Sequence, residues 1–266
     1  MNTQPLQSRI REMLDLQAEV NRKVTGDGWK SLGKESMSVD YSMAAVAELM
    51  EYTESGLPWK WWAKTFKRDW QNAKMELVDT LHFLLSEDLV RSHPTSGSEF
   101  DIVAGRVAAD YSRAKTQLDL AMKEFGGDES LLVNFIASIG DEVPGLSMFT
   151  CKNLVKSIIH SLTDPEMQLD WRGFFSLCIL NDLDLDPMYT LYISKNVLNK
   201  FRAENGYKTG SYIKKWELNV NEPQEDNYHL QQWLSTQESS ISAEDIFNFL
   251  STTYSQVKKA NANATK

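Results

Sequence analysis

Two acidic elements, Glu48-Leu-Met-Glu51 and Glu76-Leu-Val-Asp79, each sit inside an apolar helical pattern, and this pairing narrows the possible folds more than any other feature. Residues three apart on a helix share a face, so each helix would present two carboxylates in one direction. Ala44, Ala45, Ala47, Leu49 and Met50 surround the first pair, and Leu77, Val78, Leu81, Phe83 and Leu84 the second. Four carboxylates facing one another across antiparallel helices would repel unless a cation lay between them. Oxygen ligands without nearby cysteine suit Mg²⁺, or Mn²⁺ as a substitute, better than zinc. The competing reading is a solvated surface, since acid pairs at this spacing are common. Against it stands the density of apolar neighbours, because a carboxylate buried among them needs a partner.

The rest of the chain also reads as helix. Ile10, Leu14 and Ala18 recur at helical spacing through residues 6–24, which Thr25-Gly26-Asp27-Gly28 ends. A second helix is expected from about Ser42 to Ser55-Gly56-Leu57-Pro58, and a third from Phe66 or Asp69 through Leu85 on the stripe Ala73, Leu77, Leu81, Leu84. Further helical patterns cover 102–125, 130–139, 151–162, 171–182, 187–205 and 242–257. Ser92 to Ser98 reads as an exposed loop, Gly206 to Asn227 as a long functional loop, and Lys258 to Lys266 as a frayed tail. The fold class expected is all-α: a helical bundle core with antiparallel helices presenting carboxylates, additional helices and a C-terminal phosphate-binding loop. We expect one domain over 1–266, with an inserted mobile helical subdomain at about 92–165.

Charge and cysteine usage exclude other classes. A net charge of −9 is unsuited to holding duplex nucleic acid through its phosphates, which takes clustered cations. Cys151 and Cys178 are too few for a disulfide framework and wrongly spaced for a zinc knuckle, so a reducing, cytoplasmic setting is expected. No run approaches the ~20 apolar residues of a membrane span.

Three more features carry chemistry. His82 follows Asp79 by three residues, which leaves open a mixed carboxylate and imidazole site, a ligand contact, or plain helix packing. Leu57-Pro58-Trp59-Lys60-Trp61-Trp62 concentrates aromatic surface that could stack on a nucleobase or plug the gap between helices. Lys195, Asn199 and Arg202 follow steps of four and three, with Tyr207, Lys208, Tyr212, Lys214 and Lys215 beyond them. Such a face suits a triphosphate, although for this array alone a solvated basic helix end, favoured by the helix dipole, is the simpler explanation.

Taken together, these segments resemble the dimeric, all-α dUTPase family, related to MazG-type NTP pyrophosphohydrolases and unrelated in fold to trimeric β-sheet dUTPases. The resemblance rests on Glu48-x-x-Glu51, Leu57-Pro58-Trp59-Lys60-Trp61-Trp62, Glu76-Leu-Val-Asp79 with His82, and Leu198-Asn199-Lys200-Phe201-Arg202. It continues through Asn205-Gly206-Tyr207-Lys208-x-Gly210-x-Tyr212-x-Lys214 to Glu225-Asp226-Asn227. Residues 87–185 carry little of it. It implies that Glu48, Glu51, Glu76 and Asp79 are catalytic and bind metal, and that Gln17 and Asn21 read the base with Trp59, Trp61 and His82 beside it. Lys195, Asn199, Arg202, Tyr207, Lys214 and Asn227 would then hold phosphates or sugar.

The implied activity is Mg²⁺-dependent hydrolysis of dUTP, with dUDP a second substrate, to dUMP and pyrophosphate or phosphate by a homodimer. That reaction supplies dUMP and limits uracil in DNA. A dCTP or broader dNTP hydrolase of the same fold is the alternative within enzymes. A non-catalytic helical binding module is the alternative outside them.

Overall fold

The computed structural model describes residues 6–35, 39–60, 62–92, 99–124, 146–218, 222–237 and 241–264. It is all-α apart from one two-residue hairpin among those residues. Two compact units are evident, one ending at Met188 and one running from Tyr189 to the C-terminus. Trp61, the loop at 93–98 and the helix expected at 130–139 lie outside the described residues.

In the first unit α1 (Leu6–Thr25) buries Ile10, Met13, Leu14, Gln17, Ala18 and Asn21, one stripe at helical spacing that mixes apolar and amide side chains. A short α2 (Trp29–Glu35) follows where turn chemistry alone suggested no helix. Packing explains it: the Trp29 ring meets Tyr41 edge-on at 6.2 Å, and Gly33 lies where an added Cβ would come 2.9 Å from both the Tyr41 ring and Val90.

Helix α3 (Tyr41–Gly56) starts at Asp40, whose carboxylate accepts from the Met43 N–H at 2.8 Å. Helix α4 (Trp70–Arg91) starts at Asp69, which caps Asn72 in the same way. Gly56 at the end of α3 approaches Ala73 near the start of α4, while Tyr41 and Val90 meet at Gly33. The two helices are therefore antiparallel, as expected.

Helix α4 is buried on nearly every side, from Ala73 through Val90, which marks it as the centre of the unit. Around the bundle lie α5 (Glu99–Glu124), α6 (Leu146–Thr163) and α7 (Trp171–Leu180). Near the end of α4 the buried Asp88 accepts the Trp171 indole N–H at 2.6 Å and pairs with Arg106. Burial raises its pKa despite those partners.

The second unit begins within α8 (Leu185–Glu204). Leu198, Phe201, Tyr212, Trp216, Leu230, Ile246, Leu250, Tyr254 and Val257 form its core. The Gly206 to Asn227 segment is more ordered than a long loop. Gly206 closes α8 at a φ of +90°, a backbone state open to glycine, and a single 3₁₀ turn follows at Tyr207–Thr209. Strands β1 (Lys215–Trp216) and β2 (Gln224–Glu225) then pair antiparallel. Asp226 opens α9 (Asp226–Ser235), a helix absent from the sequence reading. Finally α10 (Ala243–Ala264) is capped reciprocally by Ser242 and Asp245. It continues through the supposed tail because neither Gly nor Pro interrupts it.

Candidate active site

The acidic cluster belongs to the paired helices α3 and α4. Carboxylate oxygens of Glu48, Glu76 and Asp79 all lie within 4.8 Å of one another, with Glu76 buried and the other two partly so. Three ionised carboxylates at that separation repel in a partly desolvated site, and a divalent cation relieves the repulsion. The donor set is oxygen only, which fits Mg²⁺. Glu51 is exposed one turn further along α3 and stands outside this group, so the structure assembles three of the four expected ligands.

One and two turns further along α4, the same side of the helix carries a polar network. His82 Nδ1 lies 2.7 Å from Gln17 Oε1, and the Gln17 amide N–H groups reach Asn21 Oδ1 at 3.0 Å and Ser86 Oγ at 2.9 Å. Asn21 donates to the same Ser86 oxygen at 3.0 Å, while the Ser86 hydroxyl donates to the His82 carbonyl at 2.9 Å. All four residues are buried. Because Gln17 Oε1 can only accept, the proton on that side of the imidazole resides on Nδ1. Gln17, Asn21 and His82 are thus brought together. Ser86 was missed by sequence reasoning, and its only signal is its spacing of four from His82 on the stripe that starts at Glu76 and Asp79.

The tryptophan segment bridges α3 and α4. Its ends are tied by the Asp69 N–H to the Ser55 carbonyl at 2.9 Å and by Arg68 to the Gly56 carbonyl at 3.1 Å. Trp59 is half-buried and meets Trp62 edge-on at 5.7 Å, while Trp62 is 59% exposed and plugs no gap. The Trp59 indole nitrogen is buried without a hydrogen-bond partner among the described residues.

The basic array lies in the second unit. Lys195 and Arg202 are buried, and Asn199 Oδ1 accepts from Arg202 Nη1 at 3.3 Å. The sequence reading offered these cations to phosphates, but Arg202 grips Asp226 with Nε at 2.8 Å and Nη2 at 2.6 Å. Asp226 is fully buried and also accepts the Tyr212 hydroxyl at 2.7 Å and the Asn227 N–H at 2.8 Å. Burial would lower the Arg202 pKa, but the Asp226 carboxylate outweighs it and raises it. Burial first and Asp226 second raise the Tyr212 phenol, so it stays a donor.

Lys214 pairs with Glu225 across the hairpin at 2.9 Å. Tyr207 is half exposed, with its ring 5.8 Å from the Arg202 guanidinium. The Asn227 side-chain oxygen is buried and lacks a hydrogen-bond partner among the described residues. Both counter-charges come from β2 and the start of α9, elements that the sequence pattern did not reveal.

Comparison with curated proteins found no match. A family model described as dUTPase matches residues 9–207, a span that contains the carboxylate cluster, the amide and histidine network, and α8.

Proposed function

The chain belongs to the dUTPase family, and from that premise we propose that it converts dUTP to dUMP and pyrophosphate with Mg²⁺ held by Glu48, Glu76 and Asp79. The observation that carries this reading is the close approach of those three carboxylates across α3 and α4. A bound divalent ion supplies neutralisation of the triphosphate charge and acidification of a water. Glu48, or Glu51 on the next turn, orients the attacking water and takes up its proton. Water adds at the α-phosphorus, the bond to the bridging oxygen breaks, and pyrophosphate leaves.

The base lies against Gln17, Asn21 and His82, with Trp59 supplying aromatic surface beside it. Acceptance of dUDP, a homodimer and a cytoplasmic role in limiting uracil in DNA belong to the same proposal. Among the described residues no helix is long and apolar enough to cross a membrane.

The test is incubation of the purified protein with dUTP, dCTP, dTTP or UTP, with and without Mg²⁺, following products by chromatography, with Glu48→Ala as control. We expect Mg²⁺-dependent conversion of dUTP to dUMP that the variant lacks. Equal turnover of dCTP would overturn the uracil preference. No turnover of any nucleotide would favour a binding module.

A further inference from the structure

We propose that the connection between α3 and α4 is a docking surface for single-stranded DNA, with exposed rings stacking on bases and the cations between them meeting phosphates. The inference stands on this segment alone and goes beyond the hydrolysis assigned to the carboxylate cluster.

From Lys60 to Trp70 the sequence sets a cation or a ring in turn at every second position: Lys60, Trp62, Lys64, Phe66, Arg68 and Trp70. With Lys67 the stretch holds four cations against one acid, Asp69, in a chain whose net charge is −9. Asp69 is committed to the α4 cap. Every residue from 62 to 72 is exposed except Arg68, which is half-buried. Trp62 is 59%, Phe66 40% and Trp70 45% exposed, and large rings left together in water mark a surface that a partner covers.

The surface is held in shape from beneath. Arg68 Nε donates to the Gly56 carbonyl at 3.1 Å, and the same guanidinium lies 4.6 Å from the Trp70 ring centre and 6.0 Å from that of Phe66. The two rings and the cation therefore form one platform, which lowers the entropic cost of stacking a ligand on it. Trp62 is steadied edge-on against Trp59 at 5.7 Å. Lys60 pairs with Glu54, whereas Lys64 and Lys67 enter no ion pair with a described residue. Two cations thus stand available beside open ring surface.

Single-stranded DNA matches this chemistry better than other occupants. Every base has a face to stack and every linkage a phosphate, so alternating rings and cations fit a strand without reading its sequence. A duplex keeps its base faces covered. Insertion into lipid would strand backbone groups, because the described residues from 57 to 69 form neither helix nor strand. A second copy meeting the segment across a two-fold axis would set the same cations against one another. The side chains from 62 to 70 offer a ribose 2′-hydroxyl no acceptor besides Thr65 and the committed Asp69, so no side chain here selects RNA.

The experiment is a fluorescence-anisotropy titration of a labelled oligothymidylate of about 20 nucleotides with the full chain, without Mg²⁺, over a range of NaCl concentrations. With Lys64, Lys67 and Arg68 each neutralising one phosphate, the logarithm of the association constant should fall against the logarithm of salt with a slope of about −2. Lys64→Gln combined with Lys67→Gln should reduce that slope to about −0.7. Phe66→Ala should weaken binding at least about fivefold with the slope unchanged, and Phe66→Leu, which keeps apolar bulk and loses the ring, nearly as much. Thermal melting checks the fold of each variant, and if Phe66→Ala does not fold, Phe66→Leu and the lysine pair decide. Absence of binding at low salt overturns the proposal, as does binding that neither the lysine nor the Phe66 variants weaken. Tighter binding of oligouridylate, or of anionic vesicles, than of oligothymidylate overturns it too. A parent dimer that Phe66→Ala converts to monomer, with no oligonucleotide bound, would assign the surface to a second copy instead.

Discussion

Replacing Asp226 by alanine should cost the second unit about 3–5 kcal/mol, because it strands a buried guanidinium. The carboxylate is fully buried and accepts four hydrogen bonds: two from Arg202, one from Tyr212 and one from the Asn227 backbone. The Arg202 left behind is only 9% exposed, so water cannot replace the lost partner at low cost. At a urea slope of about 2 kcal/mol per molar, the loss corresponds to a midpoint shift of roughly 2 M. Trp216, buried in the same core with its indole N–H on the Ile213 carbonyl at 2.8 Å, is a suitable fluorescence reporter.

Arg202→Met combined with Asp226→Leu removes both charges while keeping bulk, and should be less destabilised than Asp226→Ala alone. The cycle of Arg202→Met, Asp226→Leu and their combination should show a coupling of at least about 2 kcal/mol. A loss below about 1 kcal/mol in Asp226→Ala, or additive effects in the double variant, would refute the view of Arg202 and Asp226 as one buried unit.

Mg²⁺ at about one hundred times its dissociation constant should add about 2.7 kcal/mol of stability by mass action. The shift should vanish in Glu76→Gln and persist in Glu51→Gln, read by thermal melting with and without the ion. Burial alone would raise the Asp184 carboxyl, but the Tyr111 hydroxyl and Lys115 outweigh it and hold it below its ordinary value. A depressed carboxylate contributes stability above its unfolded pKa and loses it as pH falls through the folded value. The advantage of the parent over Asp184→Asn should therefore shrink between about pH 5 and pH 2 in urea titrations, and a constant difference would contradict the shift. Asp40→Ala removes the α3 cap and should cost about 1 kcal/mol, measured the same way.

Helix positions were legible where apolar periodicity was strong. The stripe Ala73, Leu77, Leu81, Leu84 gave α4, whose start the Asp69 cap fixes, and Ser42 to Gly56 gave α3 nearly whole. What escaped was set by partners distant in sequence. Helix α2 exists because Gly33 fits against Tyr41 and Val90, and nothing in residues 29–35 announces those contacts. The commitment of Arg202 to Asp226 spans 24 positions and needs the hairpin that carries Glu225 to its place. In the site, matching acid pairs on two helices announced the cluster, but not that Glu51 would fall outside it. Ser86 was missed because a lone serine on a helical stripe carries no signal until Gln17 and Asn21 of α1 are set against it.

The burial of α4 on nearly every side makes it a ruler. Glu76, Asp79, His82 and Ser86 ride on one unbroken helix, so the distance from the carboxylates to the amide network is a count of residues at about 1.5 Å each. One residue inserted between Asp79 and His82 would lengthen that distance only slightly. It would also swing everything beyond it by about 100° and carry the histidine and serine off the face they share with the acids.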